Sequence, residues 1–394
     1  MKRYVQIYML IFVLLTLFLC SADLSAAEVR GLWVECEGSN ETLSSPAKLD
    51  ALIDIAKRSG VNTIFLQVYR HNRSWYNSEL ADTTPFDVIF NAYKIDPVAY
   101  TILKAHKEGI KIHLWINVLR IGKELDTPII KKLGRDAITR DGRGVSLTQY
   151  PVKKLPDGGY WLDPGDLSVR SYTLQVVEEL LKKYPDVDGI HLDYIRYSYT
   201  DITPGSQFSD RNDLGYGKVS VARFTEKYGY SPLKMDLSDK NLTQQWDDWR
   251  RAQITNLVAD VSSLCKKINI KLQVSCAVQP WSDRAYLTAY QDWVGWMKSN
   301  AVDFVVLMNY SIDRKIVDYL AETAIKIGNT TPAYIGLGAY MMLKYPLKLY
   351  LQIEDCQKLD VHGIVLFSYD ALLQNKEILR NISKSNWWEK QKNK

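Results

Sequence analysis

From residue 28 onward the chain alternates two kinds of segment. Short, near-continuously apolar runs at 29–36, 62–69, 111–118, 189–194, 271–278, 302–308, 333–337 and 363–367 read as strands buried on both faces. Between them, apolar residues recur at helical spacing. That pattern predicts helices at about 46–59, 97–108, 167–184, 243–267, 284–299, 313–327, 345–359 and 371–382. Gly60 and Gly109 end the first two, and Asp166 suits the N-cap of the third. Eight strands alternating with eight helices predict a single (β/α)8 TIM barrel with long βα loops. An open doubly wound sheet is the other arrangement such alternation permits. Against it, Val34-Glu35-Cys36-Glu37-Gly38 after the first strand carries no glycine-rich phosphate loop. No repeat or low-complexity linker interrupts the pattern. Residues 28–385 therefore read as one barrel domain, and 386–394, with Trp387 and Trp388, as a short tail.

The first 27 residues follow another rule. Lys2 and Arg3 precede an apolar run from Tyr4 to Leu19, and Ser25-Ala26-Ala27 supplies small residues before Glu28. This is the layout of a secretory signal peptide cleaved after Ala27, which implies a secreted, periplasmic or cell-surface protein. Contact with a membrane is expected through this segment alone. A retained membrane anchor is one alternative, and a lipid anchor at Cys20 a weaker one, because Leu19 is too large for the usual lipobox. Cys36, Cys265, Cys276 and Cys356 remain, with no CxxC spacing, and the five histidines fall at no paired ligand spacing. Neither a metal site nor a cofactor motif is expected. The formal charge of +5 is small and no Lys/Arg run forms a basic stripe, which argues against a nucleic-acid partner.

In such barrels the chemistry sits at the strand C-termini. The first strand brings Trp33, Glu35 and Glu37 there, and the second Gln67 and Tyr69. The third offers His113, Trp115 and Asn117, with Arg120 beyond; the fourth offers His191 and Asp193, followed by Arg196. Gln273, Ser275, Gln279 and Trp281 follow on the fifth, Asn309 and Tyr310 on the sixth, and Ser368-Tyr369-Asp370 on the eighth. Alternation places His191 and Asp193 on one face. A buried, unpaired carboxylate costs several kcal/mol, so Asp193 is paired, partly wet, or placed for chemistry. Plainer roles suit several of the others. His113 and Gln273 can fill barrel layers, Asp370 can cap the last helix, Asp163 and Asp166 can serve turn and cap, and Asp188 can start a strand. Aromatic residues crowd the mouth: 25 Tyr and 11 Trp against 9 Phe. Their flat apolar faces with polar handles suit sugar rings.

Four segments together carry a resemblance. They are Arg30-Gly31-Leu32-Trp33-Val34-Glu35, Trp115-Ile116-Asn117-Val118, Trp161-Leu162-Asp163-Pro164-Gly165, and Asp188-Gly189-Ile190-His191-Leu192-Asp193-Tyr194-Ile195-Arg196-Tyr197. In these the chain resembles the bacterial glycosyl hydrolase-like family 10 over nearly its whole length after residue 27. The resemblance implies an exported barrel glycosidase with an oligo- or polysaccharide substrate. Family 18 chitinases carry Asp-Gly-x-Asp-x-Asp-x-Glu on strand four; set against Asp188-Gly189, this chain has Ile195 where that acid stands. Asp193 is then expected to be the principal carboxylate, with Glu35, then Asp370, then Asp292 as partner acids. Arg196 and His191 would orient it or keep it ionised. Gln67, Tyr69, Asn117, Arg120, Asn309 and Tyr310 would bind hydroxyls, and Trp115 and Trp281 would stack on rings. A non-catalytic carbohydrate-binding barrel is the alternative that the missing strand-four acid favours.

Overall fold

The computed structural model describes residues 29–198, 211–328 and 331–384. The expected signal segment, Cys20 and the 386–394 tail lie outside the described residues. Eight parallel strands form the barrel: β1 (Val29–Val34), β2 (Thr63–Arg70), β3 (Lys111–Asn117), β4 (Gly189–Asp193), β5 (Gln273–Val278), β6 (Phe304–Met308), β7 (Ala333–Gly338) and β8 (Gly363–Phe367). Each pairs with the next, and β8 returns to β1 from Val29↔Gly363 to Trp33↔Phe367, which closes the sheet. No open edge remains, so the doubly wound alternative falls.

Helices cover the outer face as the periodicity requires. Pro46–Arg58, Pro97–Lys107, Leu167–Lys183, Lys240–Ile268, Arg314–Ile327 and Pro346–Lys358 lie where the pattern puts them. Asp166 caps its helix by accepting the Ser168 N–H at 2.8 Å. Two expected helices are broken. The 284–299 stretch is Ser282–Thr288 and Trp293–Lys298, because Tyr290 takes a left-handed backbone (φ 53°) between them. Asp292 caps the second piece through Gly295 N–H at 2.9 Å. The last stretch is Tyr369–Gln374 and Lys376–Lys384, split at Asn375. Three further helices, Thr84–Tyr93, Pro128–Leu133 and Lys218–Tyr228, occupy what the pattern leaves as loops. In the first, Val88, Phe90 and Tyr93 are exposed, so its apolar residues trace no single face.

The barrel interior is packed. Trp33, Phe65, Trp115, Ala277, Phe304, Val306, Tyr334 and Val365 form a cluster separate from the outer core. Trp33 fits because Gly336 faces it: a Cβ there would stand 2.8 Å from the indole ring. Below it His191 is locked, its Nε2 accepting the Trp33 Nε1–H at 3.1 Å and its Nδ1 2.9 Å from Ser275 Oγ. Burial holds His191 well below the ordinary histidine range and brings His113 down to about 4. Both imidazoles are thus neutral fillers at physiological pH. All four described cysteines are buried and free.

Asp163 ties a long insertion to the barrel. Buried at 1 % exposure, it accepts Gly165 N–H (2.9 Å), Gly217 N–H (2.8 Å), Thr139 Oγ–H (3.1 Å) and Ser220 Oγ–H (2.6 Å). Asp163→Ala strands these donors in the interior. Chemical denaturation should show a loss of about 3 kcal/mol or more.

Candidate active site

A cavity of about 260 Å³ opens at the strand C-termini. Trp33, Glu35, Gln67, Arg70, Trp115, Asn117, Asp193, Tyr194, Arg196, Ala277, Gln279, Met308, Tyr310 and Phe367 line it. Alternation explains most of this list. Gln67↔Trp115, Trp115↔His191 and Asn117↔Asp193 are register partners, so their side chains share the inner face.

Asp193 ends β4 and is 8 % exposed. Tyr194 follows in a left-handed backbone (φ 51°), turning its N–H back onto Asp193 Oδ1 at 2.7 Å. Trp115 Nε1–H reaches Oδ2 at 3.2 Å. Burial raises the Asp193 carboxyl above its ordinary value, and the Tyr194 N–H, the Arg196 charge and the Trp115 bond oppose the rise. Arg196 lies 5.1 Å from the rings of both Tyr194 and Trp161 and pairs with Asp157 Oδ2 at 3.2 Å. The Trp161 motif and the strand-four motif therefore meet in space.

Glu35 sits just past β1 with its side chain 21 % exposed. Ser368 Oγ–H donates to Oε2 at 3.0 Å, and Arg70 Nη1 stands 3.6 Å from Oε1. Burial raises its carboxyl, Ser368 and Arg70 lower it, and the Asp370 charge raises it again. Tyr310 senses both acids. Its phenol is held well above the ordinary range by burial first, then by the charge of Asp193 and, further down, of Glu35.

Other expected residues lie elsewhere. A β-bulge between Gln67 and Tyr69 leaves Tyr69 opposite Ile116, on the outer side. There its hydroxyl accepts Asn72 Nδ2–H at 2.7 Å, while Arg70 takes the inner position. Trp281 is 44 % exposed and packs against Tyr319 (5.8 Å) instead of lining the cavity. Asn309 donates to the Val317 carbonyl at 3.0 Å. Asp370 holds the loop after β1, accepting Asn40 N–H at 2.7 Å and Ser39 Oγ–H at 3.0 Å, and reaches Glu35 through its charge alone. Arg120 lines a neighbouring groove, and His191 lies beneath the floor at Trp33.

Sequence reasoning missed Arg70, Tyr194, Met308 and Phe367, and of these Arg70 carries the charge. Its Nε stands 3.2 Å from Glu37 Oε2, so one guanidinium is shared between Glu35 and Glu37. Burial would raise the Glu37 carboxyl, but its bond to His71 and the surrounding charges of His71, Arg70 and Arg73 bring it below the ordinary value. Glu37 thus competes with Glu35 for Arg70. Glu37→Gln should lower the pH at which the Glu35 carboxyl titrates, and Arg70→Met should raise it, as carboxyl NMR would record. Shifts of one sign from both variants would refute this competition.

The family model of glycosyl hydrolase-like 10 matches residues 28–341. The chain belongs to the glycosyl hydrolase-like 10 family. Among curated relatives, the glycosyl hydrolase DigH of Escherichia coli is 25 % identical over 400 residues, covering 88 % of this chain and 84 % of that protein. The glycosyl hydrolase YngK of Bacillus subtilis is 24 % identical over 368 residues, covering 84 % of this chain and 64 % of that one. Among solved structures, a β-galactosidase from Marinomonas ef1 superposes with TM-score 0.59 at 11 % identity, over 90 % of this chain and 58 % of that chain. An endo-β-1,4-mannanase from Thermotoga petrophila gives 0.51 at 12 % identity, over 93 % and 77 %. At such identities the superpositions establish the shared barrel fold alone.

Proposed function

We propose that the chain is a glycoside hydrolase acting on an oligo- or polysaccharide outside the cytoplasm, with Asp193 as principal carboxylate and Glu35 as proton donor. One observation carries this: two carboxyls, both raised by burial, stand on the wall of one aromatic-lined cavity. Glycosidase carboxyls work in pairs across a cleft, roughly 5–9.5 Å apart, and Glu35 and Asp193 line the same one.

The roles follow from the donors. Both Asp193 oxygens accept N–H groups, and each of these bonds favours the ionised carboxylate. Asp193 acts as an anion, towards the sugar or towards a water. Glu35 is more open, and its Ser368 partner is a hydroxyl that can rotate to accept a proton as readily as donate one. It can therefore hold a proton for the leaving oxygen. Trp115, Tyr310 and Phe367 supply flat faces, and Gln67 and Asn117, themselves bonded at 3.1 Å, supply amide groups. Placement outside the cytoplasm rests on the N-terminal segment. Incubation with bacterial and plant polysaccharides should release new reducing ends. A chain that binds glycans but releases none would favour the binding-only barrel.

A further inference from the structure

The end of the barrel opposite the active site has a chemistry of its own. Covering helices run antiparallel to the strands, so their last turns and the loops down to the next strand gather there. Side-chain pairs between successive loops tie them into one floor: Lys57 with Glu108 at 2.6 Å, His106 with Asp188 at 2.9 Å, and Lys266 with Asp303 at 2.8 Å. These segments, 55–62, 104–110, 180–188, 265–272, 295–303, 324–328 and 355–362, hold twelve Lys and Arg against six Asp and Glu. That excess alone is greater than the formal +5 of the whole chain, so the rest of the sequence is slightly acidic in balance. The positive charge of the molecule is thus concentrated on one face.

Two of the floor acids are turned inward. Asp188 accepts the Ile112 N–H at 2.7 Å, and Asp303 the Val274 N–H at 2.7 Å. Lys107, Lys183, Lys267, Lys271 and Lys298 are exposed. The helix dipole explains a cation in the last turn of a helix. It explains neither Lys271, which stands beyond the helix Lys240–Ile268, nor the residues beside it. Ile268 and Ile270 are 46 % and 74 % exposed, in the run Lys266-Lys267-Ile268-Asn269-Ile270-Lys271. Aliphatic side chains held in water between cations suit the boundary of an anionic bilayer. There the ammonium groups meet lipid phosphates and the apolar ends enter the acyl edge. The N-terminal segment leads to the same face, because β1 starts there, with Val29 opposite Gly363 at the start of β8.

We propose that the floor of the barrel docks on an anionic lipid surface, with the Asp193 cavity facing away from it. This contact is additional to the one expected of the N-terminal segment, and it does not depend on the glycosidase chemistry.

The chain from Glu28 onward is the protein to test, since all eight strands and their closure lie within it. The probes are vesicles of phosphatidylcholine alone and of equimolar phosphatidylcholine and phosphatidylglycerol, read by flotation. Binding to the mixed vesicles should be about tenfold tighter or more, and should weaken as salt rises. Lys267→Glu with Lys271→Glu should weaken it about tenfold or more, and Ile270→Ser about threefold. All three positions are exposed, so thermal melts should match wild type. Lys153→Glu with Lys154→Glu makes the same charge change in exposed positions of the loop after β3, on the mouth side, and should leave binding unchanged. Equal binding to both vesicles, or equal loss from both lysine pairs, would overturn the proposal. No effect of Ile270→Ser would also overturn it, assigning the floor to a soluble polyanion, which binding of dextran sulfate would confirm.

Discussion

Asp193→Asn is expected to lower hydrolysis by on the order of 10³-fold or more while the melting temperature stays nearly unchanged. The amide keeps the shape of the carboxyl. Its oxygen can still accept the Tyr194 N–H at 2.7 Å, so the left-handed turn after β4 keeps its bond. Its NH₂ now faces the Trp115 Nε1–H, and one hydrogen bond worth about 1 kcal/mol is lost. Against this, the variant no longer buries a carboxylate whose proton affinity burial raises. The two changes oppose one another, so stability is a poor reporter and activity a sharp one. Reducing-end release by the purified variant, beside its thermal melt, decides the matter. Full activity would remove Asp193 from the chemistry, and a collapsed fold would make it a structural group.

Glu35→Gln should lower kcat by about 10²–10⁴-fold on substrates whose leaving group needs a proton, and much less where the leaving group departs unaided. The basic limb of the pH profile should vanish with it, because that limb records the loss of the transferable proton. Stability should move as well. The Glu35 carboxyl is raised above its ordinary value of 4.5, so the folded state holds the proton more tightly than the unfolded chain does. Its contribution is fully present below pH 4.5 and is lost as pH rises through the folded value. Relative to wild type, the glutamine variant should gain melting temperature as pH climbs from 4 to 7. A difference independent of pH would mean that Glu35 is not shifted. A basic limb that survives would assign the proton to another group.

The two parts of the molecule differ in how far their residues announced them. Strands buried on both faces and helices with one apolar side are local patterns, and the barrel follows from them almost element for element. The misses came where local pattern and tertiary demand part. Thr84–Tyr93 leaves apolar side chains in solvent, and the helix near 284–299 breaks at a tyrosine that nothing in its neighbourhood marks as left-handed. Alternation brought Glu35, Gln67, Trp115, Asn117 and Asp193 to one cavity, with Arg196 and Tyr310 beyond the strand ends. It failed at Tyr69, where Val68 adds a residue to the strand. It also does not extend past the last strand hydrogen bond, where Trp281, Asn309 and Asp370 turn to other partners. Thr139, Gly217 and Ser220, which gather on Asp163, are far apart in the chain, and no spacing could have joined them.

The surplus residue at Val68 has a wider meaning for how such a scaffold acquires reactivity. Without it, a phenol would hang over the bowl and the guanidinium would point at the surrounding helices. One extra link in a single stave exchanges the two, and the hoop of backbone bonds below is untouched. A barrel can thus change the electrical character of its mouth by a local miscount, leaving every neighbouring stave as it was.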